Sequence, residues 1–167
     1  PATVLAILGK ERFEAAVAGV VPVIRVLQES LAGAHVDRIH GIVNGTTNFI
    51  LSEMHGGREY AEALAEAQRL GYAEADPTDD VAGYDAQAKM AILATVAFGS
   101  RVTPEDVEVE GIEGITQEHV SAAAALGMTV KLIGQASLVD GRYDVRVSPA
   151  LVDRRHPLAA VEGPFNA

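Results

Sequence analysis

The chain has 167 residues and an apolar fraction of 49%, which predict one globular domain with a core of its own. It contains no cysteine, which excludes disulfides and thiolate metal sites, and we expect a cytoplasmic protein. The net charge of −10, with 13 scattered lysines and arginines, argues against a nucleic-acid partner, and no apolar stretch is long enough to span a membrane.

Hydrophobic periodicity and capping residues predict a series of helices. Apolar residues recur at helical spacing behind Pro22, and Gly71 follows an alanine-rich segment where a helix end favours glycine. Asp79 or Asp80 can cap a long helix that runs to Phe98. In chain order the predicted elements are a helix at 22–31, a strand at 36–43, a tight turn at 44–48, a helix from 49, a helix at 60–70, a loop at 72–78, the long helix, a helix at 117–126 and a hairpin at 129–147.

The hairpin is the clearest local signal. Residues 129–139 and 142–147 are rich in strand-forming residues, and Asp140-Gly141 between them favours a two-residue turn. Helices combined with a hairpin predict an α+β fold, in which helices pack on one face of a mostly antiparallel or mixed sheet.

The densest group of ionisable residues lies in one loop and the start of the long helix. It consists of Glu74, Asp76, Asp79, Asp80, Asp85 and Lys89. Asp85 and Lys89 are four residues apart, so on a helix their side chains share a face. Two interpretations stay open: a solvated surface ion pair, or a lysine that exchanges protons in a partly dehydrated cleft.

Other sites are less consistent with the sequence. The spacing of Asp76, Asp79 and Asp80 lacks the alternating ligands and central glycine of an EF-hand calcium loop. The five histidines form no metal-binding motif, and no glycine-rich nucleotide loop is present. The turn at 44–48 can present N–H groups to an anion such as a substrate carboxylate, or its own side chains (Thr46, Thr47 or Asn48) can cap the helix.

Three segments resemble the homoserine dehydrogenase family. They are FEAAVAG at 13–19, GIVNGTTNFIL at 41–51 and LGYAEADPTDDVAGYDAQAK at 70–89. The likeness continues to Ala167 and covers nearly everything after Arg12. It implies that residues 13–167 are a catalytic and dimerisation domain of this family, and that residues 1–12 are a remnant or an artificial start.

The resemblance implies an activity and a set of site residues. Members of the family interconvert L-aspartate 4-semialdehyde and L-homoserine with NADP or NAD, in threonine, methionine and isoleucine biosynthesis. Lys89 matches the catalytic lysine that exchanges a proton with the substrate oxygen. Gly71 matches a position that contacts the cofactor. The matching substrate-binding residues are Glu74, Asp85, Asp80, Gly45, Thr46 and Tyr72.

The resemblance also implies partners. Na⁺ or another monovalent cation is expected at a site formed by Glu14, Val17, Gly19 and Val21. The sheet is expected to form the interface of a homodimer. The nucleotide-binding domain of the family, with its glycine-rich turn, has no counterpart in this sequence, so we expect the chain alone to be inactive and to need that domain as a partner.

Overall fold

The computed structural model describes residues 22–139 and 141–167. The α-helices are α1 (Val23–Arg25), α2 (Gly45–His55), α3 (Tyr60–Arg69), α4 (Thr78–Val81), α5 (Tyr84–Phe98) and α6 (Gln117–Ala125). The strands are β1 (Arg38–Gly41), β2 (Glu108–Val109), β3 (Met128–Val139) and β4 (Arg142–Asp153). A π-helical turn (Val26–Ser30) continues α1, and 3-10 helices span Pro104–Asp106 and Pro157–Ala160.

The strands form a four-stranded mixed sheet in the order β1-β3-β4-β2. Strand β3 pairs antiparallel with both β1 and β4, whereas the short β2 runs parallel to β4. The β3–β4 pairing ends with Val139 opposite Arg142, so the register leaves two residues for the turn, as predicted. Asp140 of that turn lies outside the described residues. The predicted α+β fold class is confirmed.

Helix α5 packs closely against the middle of the sheet. Its residues Ala86, Met90 and Leu93 are buried, in agreement with the predicted apolar face. A Cβ atom at Gly134 on β3 would lie 2.5 Å from the sulfur of Met90. Glycine at this position therefore lets the helix that carries Asp85 and Lys89 approach the strand, and each large apolar side chain buried there contributes about 1.5–3 kcal/mol.

The prediction of one long helix up to Phe98 is wrong, because the structure divides it into α4 and α5. Gly83 separates the two helices with a φ of +87°, a left-handed conformation that residues with a Cβ adopt at a cost of about 1–2 kcal/mol. A Cβ there would also lie 2.9 Å from Cγ2 of Val109. The break allows Asp80 at the end of α4 and Asp85 at the start of α5 to approach the same point.

The predicted tight turn at residues 44–48 is also wrong, because residues 45–48 form the first turn of α2. Asn44 is the N-cap, and its Oδ1 accepts a hydrogen bond from the N–H of Thr47 at 2.8 Å. Asn44 thus caps the helix, and not Thr46, Thr47 or Asn48 as the sequence also allowed.

The remaining predicted elements agree in type and differ at their ends. The strand predicted over residues 36–43 is the shorter β1, and β4 is longer than the second predicted hairpin strand. The helices predicted over residues 60–70 and 117–126 correspond to α3 and α6, and the helix predicted over 22–31 ends in the π-helical turn. Among the described residues, no helix combines the length and apolar character needed to cross a membrane.

His55 fastens the end of α2 to the start of β3. Its Nε2 accepts a hydrogen bond from the N–H of Val130 at 2.9 Å and lies 2.6 Å from Oγ1 of Thr129. Only an unprotonated Nε2 can accept these bonds, so the contact requires a neutral ring. Burial, followed by the positive charges of Lys131 and Arg154, lowers the pKa of His55.

We predict that His55 makes the fold less stable in mild acid. Because the pKa of His55 is lower in the folded state, the unfolded chain binds the proton more readily. The contribution of His55 to stability is therefore complete above about pH 6.5 and is lost as the pH falls through the folded-state pKa. Denaturant titrations from neutral to mildly acidic pH should show a shallower loss of unfolding free energy for His55→Gln, whose amide oxygen can still accept from Val130. Identical pH dependence in the two proteins would contradict this role.

Candidate active site

A cleft of about 770 Å³ opens between the start of α2, the loop after α3 and the α4–α5 break. This volume suits a small substrate together with part of a larger molecule. The predicted catalytic, substrate and cofactor positions all line it: Lys89, Glu74, Asp85, Asp80, Gly45, Thr46, Tyr72 and Gly71. The fold thus brings together residues from segments that are far apart in the sequence.

Lys89 and Asp85 form an ion pair that faces the cleft. The Nζ of Lys89 lies 2.6 Å from Oδ2 of Asp85 and donates to the carbonyl oxygen of Val43 at 3.1 Å. Their side chains are 22% and 33% exposed, so this is not a pair in bulk solvent. Two of the three ammonium donors have partners among the described residues, and the third can serve a ligand in the cleft.

Asn44 connects two of the acidic residues to each other. Its Nδ2 donates to Oδ1 of Asp80 at 2.6 Å and to Oδ2 of Asp85 at 2.8 Å, while its Oδ1 caps α2. Asn44 is 4% exposed, so the two carboxylates meet at a buried donor that reduces their mutual repulsion. The sequence prediction missed Asn44. An asparagine directly before a helix is a signal for its capping role, but no local pattern indicates its bonds to the two carboxylates.

The loop after α3 forms the opposite wall. The hydroxyl of Thr46 donates to the carbonyl oxygen of Tyr72 at 2.7 Å, and the Tyr72 ring packs on Phe49 with 5.0 Å between ring centroids. Gly71, with a φ of +78°, leads the chain out of α3 into this wall. Glu74 follows on the same loop and is exposed to the cleft. These contacts set the distance between Glu74 and the α5 side of the cleft.

Pro164 adds a wall from a distant part of the chain. A Cβ at Gly45 would lie 2.7 Å from the carbonyl oxygen of Pro164, so this approach requires glycine at the start of α2. No local sequence pattern relates these two residues, and the prediction missed Pro164 for that reason.

Negative charge dominates the cleft. Its ionisable side chains, apart from tyrosine, are those of Glu74, Asp76, Asp79, Asp80, Asp85 and the single cation Lys89. Hydrogen bonds from the side chain and backbone of Thr78 lower the pKa of Asp76. A field of this sign attracts an ammonium group and repels phosphate.

Metal sites receive no support from the residues that the structure describes. Within them, no three or more histidine, aspartate or glutamate side chains are arranged to hold a metal ion. The predicted monovalent-cation ligands are Glu14, Val17, Gly19 and Val21, which lie outside the described residues.

Comparison with known proteins gives one consistent result. A family model described as homoserine dehydrogenase matches residues 22–167. The chain is 58% identical over 161 residues to the homoserine dehydrogenase of Mycobacterium tuberculosis H37Rv, and 51% identical over 156 residues to that of Bacillus subtilis 168. Each match covers 93% of this chain and 36% of the relative, so the chain spans about a third of the length of these curated relatives.

A solved structure agrees in fold as well as in sequence. The homoserine dehydrogenase from Thiobacillus denitrificans matches with a TM-score of 0.89 and 46% identity, over 92% of this chain and 36% of that chain. The family match includes every described residue, and therefore the whole cleft. The chain belongs to the homoserine dehydrogenase family.

Proposed function

We propose that this chain is the substrate-binding, catalytic and dimer-forming part of a homoserine dehydrogenase, which interconverts L-aspartate 4-semialdehyde and L-homoserine with NAD or NADP. The proposal rests on the Lys89–Asp85 pair, which faces a cleft whose opposite wall carries Glu74. This arrangement offers a proton donor for a substrate oxygen and carboxylates for an ammonium group, and both substrates carry an oxygen function and an ammonium group.

The walls of the cleft can orient the amino-acid part of the substrate. Glu74, Asp80 and Asp85 attract its ammonium group by charge and by hydrogen bonds. The N–H groups of Gly45 and Thr46 open α2 beside the cleft, where backbone donors at a helix start can bind the α-carboxylate. Two charged ends held on different walls would restrict the substrate to one orientation.

Lys89 would exchange the proton of the reaction. During reduction its ammonium gives a proton to the aldehyde oxygen while the carbonyl carbon receives a hydride, and during oxidation the neutral amine takes the proton from the hydroxyl group. The bound NAD or NADP supplies or accepts the hydride. Asp85 and the carbonyl of Val43 hold the Lys89 nitrogen in position throughout.

The acidic cleft suits only one end of the cofactor. Apart from Gly71 and its two chain neighbours, no described residue has an atom within 4 Å of the place where a Cβ would stand on Gly71, so this backbone would leave room for the nicotinamide end of the cofactor. The surrounding carboxylates would repel the cofactor phosphates. A nucleotide-binding domain would therefore hold the phosphates, and for this reason we expect the isolated chain to be inactive.

The proposal extends to the surroundings of the protein. We infer a cytoplasmic enzyme of threonine, methionine and isoleucine biosynthesis, with Na⁺ or another monovalent cation bound by Glu14 and by backbone carbonyls near Val17, Gly19 and Val21.

We also infer a homodimer. Strand alternation turns Ile133 away from Gly134, which contacts α5, and Ile133 is only half-buried in this chain.

We predict that Glu74 is needed for substrate affinity. Loss of one charged hydrogen-bond partner, worth about 1.5–3 kcal/mol, should weaken L-homoserine binding by roughly tenfold or more in Glu74→Ala. Lys89→Ala should bind nearly as well, since its proton transfer acts in the transition state, but should lose turnover once the nucleotide-binding domain of a relative is supplied. Calorimetry and thermal shift on the 167-residue chain measure the binding.

The matched control for this titration is Glu62→Ala, which removes an exposed carboxylate of α3 outside the cleft. It should bind L-homoserine like the wild-type chain. If no form binds, the titration is repeated with the nucleotide-binding domain added. Failure under those conditions would overturn the proposed substrate site.

We predict that the amide of Asn44 does more than cap α2. Asn44→Asp keeps a good N-cap acceptor but replaces the donor between Asp80 and Asp85 with a third carboxylate. It should lower the free energy of unfolding by about 1–3 kcal/mol, the cost of unpaired buried polar groups. In denaturant titrations Asn44→Ser, which keeps a cap without adding charge, should lose less; equal stability of the two variants would show that capping is the only role.

We predict that the chain is a dimer of 17.5 kDa protomers at micromolar concentration, as measured by light scattering. Ile133→Arg should give monomers, because it places a charge in the proposed apolar interface. Leu126→Arg is the control, since Leu126 is 71% exposed at the end of α6 and belongs to no strand of the sheet. A wild-type monomer would contradict the proposed interface.

A further inference from the structure

A buried lysine lies outside the cleft. Lys131 on β3 is 2% exposed, and no carboxylate in the described part of the chain pairs with its ammonium. Burial lowers the pKa of Lys131, and the negative charge of Glu162 opposes this shift. A buried charge without a counter-ion is costly, and an apolar side chain of similar length would avoid the cost. We therefore ask what the hydrogen bonds of the ammonium provide that an apolar side chain would not.

The ammonium of Lys131 determines the orientation of a second buried side chain. Its Nζ lies 2.9 Å from Oδ1 of Asn48 and 2.5 Å from the carbonyl oxygen of Val161. Asn48 is 1% exposed, and a reversed amide would place its NH₂ group against the ammonium. Lys131 thus fixes the direction in which the Asn48 donors point.

Those donors hold residues 161–167, which we call the strap. The Nδ2 of Asn48 lies 3.1, 2.8 and 3.3 Å from the carbonyl oxygens of Val161, Gly163 and Phe165. The N–H of Gly163 also donates to Oγ of Ser52, whose hydroxyl donates to the carbonyl oxygen of Asn48. One buried amide therefore binds alternate carbonyls of the strap.

The strap forms part of the wall of the cleft. Pro164 lies between two of the anchored carbonyls, and its own carbonyl oxygen is in close approach to Gly45. At the end of the strap, Ala167 and Ile42 exchange both backbone hydrogen bonds, at 2.6 and 2.9 Å. A displacement of the anchored carbonyls would therefore move the wall beside the first residues of α2.

We propose that Lys131 is a positioning residue of the substrate cleft, which acts through Asn48 to hold the strap and so to place Pro164 against Gly45. The effect on L-homoserine rests on the proposed function, whereas the effect on the strap does not. Lys131 is not among the residues that line the cleft.

The test compares Lys131→Met, Asn48→Leu and the double variant in the 167-residue chain. Amide hydrogen exchange at Gly163 and Ala167 should become about tenfold faster in Lys131→Met, since lost anchoring lowers the local opening energy. L-Homoserine affinity should fall by roughly tenfold, as expected for a displaced binding wall. The double variant should be no worse than the worse single variant, because the two residues act as one unit.

Val145→Ala serves as the control for simple loss of stability. Val145 is buried on β4 and pairs with Ala136, away from the strap. This variant should melt at a lower temperature, while the amide hydrogens of the strap exchange no faster than those of the sheet. Unchanged strap exchange in Lys131→Met, or additive losses in the double variant, would overturn the inference. A wild-type chain that never binds L-homoserine would refute the proposed function, while the exchange data would still decide the role of Lys131.

Discussion

The organisation of the cleft depends on the side chain of Asn44. This one buried amide caps α2 through its oxygen and donates hydrogen bonds through its nitrogen to two carboxylates, those of Asp80 and Asp85. Without the Asn44 donor between them, these two partly buried carboxylates would repel each other. Because Asp85 in turn holds Lys89, the position of the ammonium is linked through two hydrogen bonds to the start of α2.

Charge and backbone donors are separated across the cleft in a way that fits the proposed substrate. Acidic side chains come from the loop after α3 and from the α4–α5 break, whereas the backbone N–H groups of a helix start come from α2. The same negative field that favours an amino-acid ammonium is unfavourable for a dinucleotide phosphate. The chemistry of the cleft thus agrees with the proposal that a separate nucleotide-binding domain holds the cofactor phosphates.

Besides the hydrogen bonds of Asn44, a second buried polar network, formed by Lys131 and Asn48, holds a wall of the cleft. Lys131 and Asn48 are both nearly inaccessible, and their hydrogen bonds end on main-chain carbonyls of the strap. Hydrogen bonds between buried polar groups depend on direction and so restrict a structure to one arrangement more strongly than apolar packing does. The wall at Pro164 is therefore held by directional bonds, and the glycine at position 45 allows the contact without a steric clash.

The sequence by itself determined the helix and strand types, the β3–β4 hairpin, the family and most of the residues that line the cleft, because these depend on local periodicity, turn residues and contiguous motifs. It could not place the break at Gly83, since a glycine within a helical pattern is compatible with both a continuous and a divided helix. Only the tertiary structure decided that Asn44 joins two carboxylates and that Pro164 closes the cleft. Both contacts join residues that are distant in the chain, and hydrogen bonds of this kind depend on how the elements pack rather than on any local pattern.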